Sequence, residues 1–213
     1  MTPPEIIYAD SALLVVHKPA GLLSVPGKGP DKQDCLSRQV QQLYPEALVV
    51  HRLDMATSGL MLMARTPTVQ QVLNQAFAAR TIHKRYVAVV NGCLSAHTGH
   101  WQCIDLPIAL DWPNRPRRVI NLETGKPSQT RWQVLHTDTT RQQTRLLLEP
   151  ITGRSHQLRV HLLAIGHAIV GDRLYAPEVV AFASERLLLH AHSLEFVHPL
   201  HGQTLRFESP VPF

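Results

Sequence analysis

The stretch His51-Arg52-Leu53-Asp54-Met55-Ala56-Thr57-Ser58-Gly59 gathers an imidazole, a guanidinium, a carboxylate and two hydroxyls into one short segment. It lies between two apolar runs that read as strands, Leu48 to Val50 and Leu60 to Ala64, so it is a connection held between rigid elements, where functional groups often lie. On its own, Asp54 has two readings: a turn residue accepting backbone hydrogen bonds, or a carboxylate free for acid-base or nucleophilic work. Two more blocks concentrate polar and aromatic groups, Arg80-Thr81-Ile82-His83-Lys84-Arg85-Tyr86 and Gly153-Arg154-Ser155-His156-Gln157-Leu158-Arg159-Val160-His161. Alone, Tyr86 at a strand start reads as core and Arg154 at a helix start reads as surface. Thirteen histidines raise the question of a metal, with His190 and His192 on one strand face and His156 and His161 near one helix. Neither pair has a third ligand at a matching spacing and H-E-x-x-H is absent, so these side chains are assigned structural or hydrogen-bonding roles and no metal is expected.

Short apolar runs bounded by Gly, Pro or Asp supply the positioning elements: Ala12 to Val16, Leu48 to Val50, Leu60 to Ala64, Tyr86 to Val90, Arg131 to Leu135, Arg145 to Leu148 and Leu187 to Val197 all read as strands. A hairpin, Leu194 to Val197 and Thr204 to Phe207, closes around His198-Pro199-Leu200-His201-Gly202. Helical spacing marks Leu36, Val40, Leu43 and Tyr44, and again Val69, Val72, Leu73, Ala76 and Phe77, where Thr66 is the N-cap and Pro67 the first helical residue. A third helix is predicted from about Ser155 to Ile165, ended by Gly166. Strands outnumber helices and do not alternate with them, so the expected class is α+β around a largely antiparallel, mixed sheet with flanking helices. Val25 to Pro30 reads as a surface loop, Asp111 to Gly125 as a longer basic one, and alternating Met61 and Met63 as core.

With 213 residues, 44% hydrophobic and 17% charged, the chain can bury a sizeable core as one domain or two closely packed halves, which excludes disordered and fibrous classes. Lys and Arg outnumber Asp and Glu by 21 to 16, for a formal charge of +5, which suits a polyanionic partner. Cys35, Cys93 and Cys103 are far apart and form no C-x-x-C pair, so neither a disulfide framework nor a thiolate zinc site is indicated. Met1-Thr2-Pro3-Pro4-Glu5 has no leader pattern and no run of eighteen apolar residues occurs, so a soluble, cytoplasmic protein without a membrane partner is expected.

The first block resembles, over its whole length, the HRLDxxTSG signature of the RluA-type pseudouridine synthases. The blocks around Tyr86 and Arg154 resemble the second and third motifs of that family in the same order, and the likeness extends from about Ile7 to the C-terminus. The resemblance implies a pseudouridine synthase fold with a central RNA-binding cleft, one catalytic domain over residues 1–213 and no S4-type domain. It implies Asp54 as the essential carboxylate, Tyr86 as the ring that packs on the target base, Arg154 as the partner of Asp54, and Leu158 as a wall of the base pocket. His51 and Arg52 of the same motif are expected at the substrate, with Arg52 a candidate to fill the space left by a base turned out of its stack. Phosphate contacts are expected from Lys84, Arg85, Arg115, Arg117, Arg118 and Arg159.

Isomerising uridine breaks a glycosidic C–N bond, turns the uracil and forms a C–C bond, with no redox step or external group, so no cofactor is required. An ionised carboxylate serves as nucleophile towards the sugar or as a base, and a nearby guanidinium keeps it ionised. Structured RNA is thus the expected partner and a monomer the expected state. Asp111-Trp112-Pro113-Asn114-Arg115-Pro116, Glu123-Thr124-Gly125-Lys126-Pro127 and Leu187-Leu188-Leu189-His190-Ala191 are similar to a branch of the family that modifies both a large-subunit ribosomal RNA hairpin and a transfer RNA anticodon arm, which implies dual specificity. The alternatives are action on one of these RNAs only, a catalytically silent RNA-binding module, and a glycoside hydrolase. The last needs a second carboxylate, which no motif places beside Asp54.

Overall fold

The structure is a computed structural model that describes residues 3–94 and 99–213; Met1 and Thr2, where the search for a leader begins, lie outside the described residues. In chain order the elements are β1 (Glu5–Ala9), β2 (Leu13–Lys18), α1 (Leu36–Leu43), β3 (Leu48–Val49), β4 (Ser58–Ala64), α2 (Pro67–Ala79), β5 (His83–Asn91) and β6 (Gln102–Asp105). They continue as β7 (Ile108–Leu110), β8 (Arg118–Ile120), β9 (Gln129–Asp138), β10 (Gln143–Pro150), α3 (Gln157–Ala164), α4 (Glu178–Ala181), β11 (Leu189–Val197) and β12 (Thr204–Glu208). The chain is α+β with a large mixed sheet, as expected, and the pairs β1–β2, β2–β4, β5–β10, β9–β10 and β11–β12 run antiparallel. Two compact units share it: residues 1–84 with 191–212, and residues 85–190 with 213. Among the described residues no helix is long and apolar enough to cross a membrane.

In the first unit β4 is the central strand, and all seven of its residues are buried. It pairs with β2 from Leu13↔Ala64 to Lys18↔Gly59, while β1 lines the far side of β2 and β12 that of β11. Strand β1 escapes sequence detection because it is an edge strand whose residues alternate between exposed and half-buried, after two prolines. Helix α2 starts as predicted: Pro67 occupies the first turn and the Thr66 hydroxyl accepts the Val69 N–H at 3.2 Å. Its Val69 and Leu73 enter a core with Leu13, Leu60, Leu62 and Phe196.

In the second unit β10 lies between β5 and β9, and β6 pairs with β9. The segment read as one long basic loop is partly a separate ribbon, because Arg118–Ile120 pairs with Ile108–Leu110. Three residues a side are too few for period-two alternation to register in the sequence. Helix α3 begins at Gln157 and not at Ser155, because His156 sits in the left-handed region at φ 58 and a helix cannot run through it.

Gly59 has a φ of +117, and a Cβ built on it lies 2.3 Å from the Ala191 carbonyl oxygen, so the close approach of two backbones requires this glycine. Gly59→Ala is therefore expected to cost about 3 kcal/mol or more, combining left-handed strain with a backbone clash. A thermal melt checks this, and an unchanged midpoint would contradict the close approach.

Candidate active site

Asp54 is half-buried in the connection between β3 and β4, and its two chain neighbours are clamped through their main chains. The Ser24 hydroxyl donates to the Leu53 carbonyl at 2.7 Å and accepts the Leu53 N–H at 3.0 Å. On the other side the Met55 carbonyl accepts the Gly21 N–H at 2.8 Å and the Lys18 ammonium at 3.0 Å. That ammonium also donates to the carbonyls of Pro19 at 2.8 Å and Leu22 at 2.7 Å. Lys18 is fully buried, and a buried cation is tolerable only where oxygen dipoles replace its hydration. The turn is closed by the Thr57 N–H on the Asp54 carbonyl at 3.1 Å. All of these bonds use main-chain atoms of the motif.

His51 belongs to this scaffold. Its Nε2 accepts the Leu62 N–H of β4 at 2.8 Å, and its ring lies 4.6 Å from that of Phe77. Burial, with the Lys84 ammonium adding to it, pushes the imidazole down to about 3, so the ring is neutral at physiological pH with its proton on Nδ1. Lys84 itself sits 5.6 Å from the Phe77 ring centre, and burial lowers its pKa. Arg52, by contrast, is exposed, and no carboxylate pairs with it within its unit.

The second unit carries the other candidates. Tyr86 is half-buried on β5 opposite Leu148, Arg85 beside it is exposed, and Leu158 is buried on α3. Arg154 is exposed, but its backbone is fixed from below by Gln157. The Gln157 carbonyl oxygen accepts the Arg154 N–H at 3.1 Å and the Thr152 hydroxyl at 2.7 Å, while its amide donates to the Gln129 carbonyl at 2.8 Å and the Thr130 hydroxyl at 3.0 Å. The Thr130 hydroxyl then donates to His161 Nδ1 at 2.9 Å, and His161 Nε2 donates to the Leu106 carbonyl at 2.9 Å. A carbonyl can only accept, so the proton is on Nε2, in keeping with the lowering of His161 by burial.

One expectation is corrected outright. Arg159, assigned to RNA phosphates, is buried, and its guanidinium makes a two-point contact with Asp172 at 2.8 and 2.6 Å. Its plane lies 4.9 Å from the Tyr175 ring, whose hydroxyl accepts the Arg118 N–H at 2.8 Å and lies 2.6 Å from His156 Nδ1. Arg117 is likewise turned to the Leu174 carbonyl. Arg115 is exposed over the Trp112 ring at 4.5 Å. The paired histidines have partners of other kinds: His156 bonds Tyr175, His161 bonds Thr130 and Leu106, and His192 bonds the Ser209 carbonyl at 2.8 Å. Sequence reasoning missed Lys18, Ser24, Gln157 and Tyr175. Lys18 left a sign as the charged end of a mostly apolar strand, and Gln157 by standing in the third polar block.

The comparisons with known proteins identify the family. Residues 12–164 match the family model described as RNA pseudouridylate synthase. The chain belongs to that family and is an RNA pseudouridine synthase. It is 48% identical over 219 aligned residues to the "Dual-specificity RNA pseudouridine synthase RluA" of Escherichia coli strain K12, covering 99% of this chain and 97% of that one. The protein of the same name from Vibrio vulnificus strain CMCP6 is 50% identical over 199 residues, covering 92% and 78%. Among solved structures, Human RNA Pseudouridylate Synthase Domain Containing 1 superposes with a TM-score of 0.81 at 28% identity, covering 99% of this chain and 84% of that one.

Lys18→Met keeps the volume and removes the charge together with the three bonds it donates to main-chain carbonyls. A loss of about 3 kcal/mol is expected in chemical denaturation, at about 1 kcal/mol for each carbonyl. A stability within 1 kcal/mol of wild type would show that water takes over the cage. For His51 the folded pKa lies below the unfolded one, so the unfolded chain binds the extra proton and stability falls as pH drops from 6.5 towards 3. Urea melts at pH 7, 6, 5 and 4 should show wild type losing up to about 1.4 kcal/mol per pH unit relative to His51→Gln, whose amide oxygen keeps the acceptor. Parallel curves would remove His51 as the titrating group.

Proposed function

We propose that the chain isomerises specific uridines in structured RNA, both in a 23S ribosomal RNA hairpin and in the transfer RNA anticodon stem-loop. Identity of 48% across nearly the whole of a dual-specificity relative supports the double assignment. The observation that carries the chemistry is the doubly clamped turn, which holds Asp54 half-exposed while the carbonyls of Leu53, Asp54 and Met55 are bonded. A carboxylate held this way loses little freedom in reaching a sugar, whether it attacks carbon or removes a proton.

Tyr86 supplies the flat wall against which a detached uracil turns, and Leu158 the apolar side of its pocket. Arg154 supplies the guanidinium that keeps the carboxylate ionised, its position fixed by Gln157. Arg52, exposed, is read as hydrogen-bonding bases left behind when the uridine turns out, and exposed Arg85 and Arg115 as meeting phosphates. Arg159 is removed from the substrate set, since it is paired to Asp172. The enzyme is read as a cytoplasmic monomer that needs neither cofactor nor metal, because the reaction moves no electrons to or from an acceptor.

Asp54→Asn keeps the shape and removes the ionisable group. Tritium release from C5-labelled anticodon-arm hairpin should fall by at least about a thousandfold, with hairpin affinity within a few-fold of wild type. Substantial turnover by this variant would overturn the assignment of Asp54, and turnover of only one of the two RNAs by wild type would reduce the reading to single specificity.

A further inference from the structure

Within the second unit, the β7–β8 ribbon and the turn Gly153-Arg154-Ser155 border a groove with Ile108 and Leu110 as its apolar side and Trp112, Arg118, Lys126 and Arg154 around it. Its lining holds three cations and no acidic residue. Among the described residues of the unit neither Arg118 nor Lys126 has a carboxylate partner; Asp111, next to Trp112, is turned to the Asn114 side chain at 3.0 Å. Arg118 carries a sharper sign. Its Nε is shut off from solvent and is without an acceptor among the described residues, a condition that costs stability unless a ligand relieves it. Its main-chain N–H is pinned by Tyr175, and Lys126 and Ile108 exchange main-chain bonds at 2.9 and 3.0 Å, so the cations stand on a fixed frame.

Trp112 completes the chemistry. It is 64% exposed, an unusual placing for an indole, and the Arg115 guanidinium over its ring holds it in orientation. A flat aromatic beside the Arg118 guanidinium and the Lys126 ammonium matches a ligand that is itself flat at one end and anionic at the other. That is a nucleotide.

We propose that this groove is a second nucleotide subsite, taking a loop nucleotide adjacent to the target uridine, with its base on Trp112 and its phosphate between Arg118 and Lys126. It rests on the RNA-isomerase reading above. The groove's lining supplies an indole, cations and an apolar side, which is what a nucleotide held through its base and its phosphate needs. Stacking accepts every base, and the sequence information comes from which loops can present a splayed neighbour to the indole.

The probe is a fluorescent anticodon-arm hairpin, followed by anisotropy for binding and by tritium release for turnover. Trp112→Ala should raise both Kd and KM about tenfold while kcat stays within about threefold, and Trp112→Phe should restore most of the loss. Lys126→Ala should lower the slope of log Kd against log salt by about one. Abasic substitutions placed one at a time through the loop should reveal one non-target position at which the missing base costs wild type about tenfold and costs Trp112→Ala nothing further. Binding by Trp112→Ala within twofold of wild type, additive losses at every position, or no binding of the hairpin by wild type would each overturn the subsite. Coupling at one position without pseudouridine formation would instead leave the subsite standing and remove the isomerase reading.

Discussion

An ammonium ion buried without water must be surrounded by oxygen, and Lys18 meets that demand with three main-chain carbonyls drawn from two parts of the chain. Pro19 and Leu22 belong to the turn leaving β2, while Met55 follows Asp54. The cation therefore ties the end of one strand to the carboxylate's own turn, and its desolvation makes the tie costly to break. Ser24, from the same segment, closes the other side by bonding both polar atoms of the Leu53 backbone. The main chain of the turn is thus anchored from outside its motif, by the side chains of Lys18 and Ser24 on the backbone groups that flank Asp54, which fixes the path of the chain there.

The second unit solves the same problem with neutral groups. Gln157 satisfies all of its amide by bonding Thr130, Thr152, Gln129 and the Arg154 N–H, and His161 extends the chain of bonds to Leu106. A fully satisfied buried network has one arrangement, because any rotation leaves a donor or acceptor unpaired. In both units, then, buried polar groups hold the backbone of an exposed or half-exposed charged residue.

Much of the fold was legible because the core strands are runs of apolar residues long enough to register, and α2 carries a cap and proline that sequence rules recognise. The edge strand β1, the short β6 and the β7–β8 ribbon were not legible, since each is either half-exposed or three to four residues long. Asp54, Tyr86 and Arg154 are candidates by motif resemblance. Their supports were not legible, because an ammonium caged by carbonyls or an amide that bonds a distant N–H depends on contacts between residues as far apart as Lys18 and Met55, which no local spacing encodes.

Arg159 shows why the type of a motif residue does not disclose its direction. Five positions separate it from Arg154, and His156 in the left-handed region lies between them, breaking the helix before it starts. Arg154 is thereby left on a turn, where its backbone is fixed and its guanidinium exposed, whereas Arg159 falls inside α3 and faces Asp172. Asp172 also receives the N–H groups of Leu174 and Tyr175, so the ion pair organises the segment whose tyrosine bonds His156 and Arg118. Two arginines of one motif thus divide the work: one is consumed in building the frame, and the frame determines where the other stands.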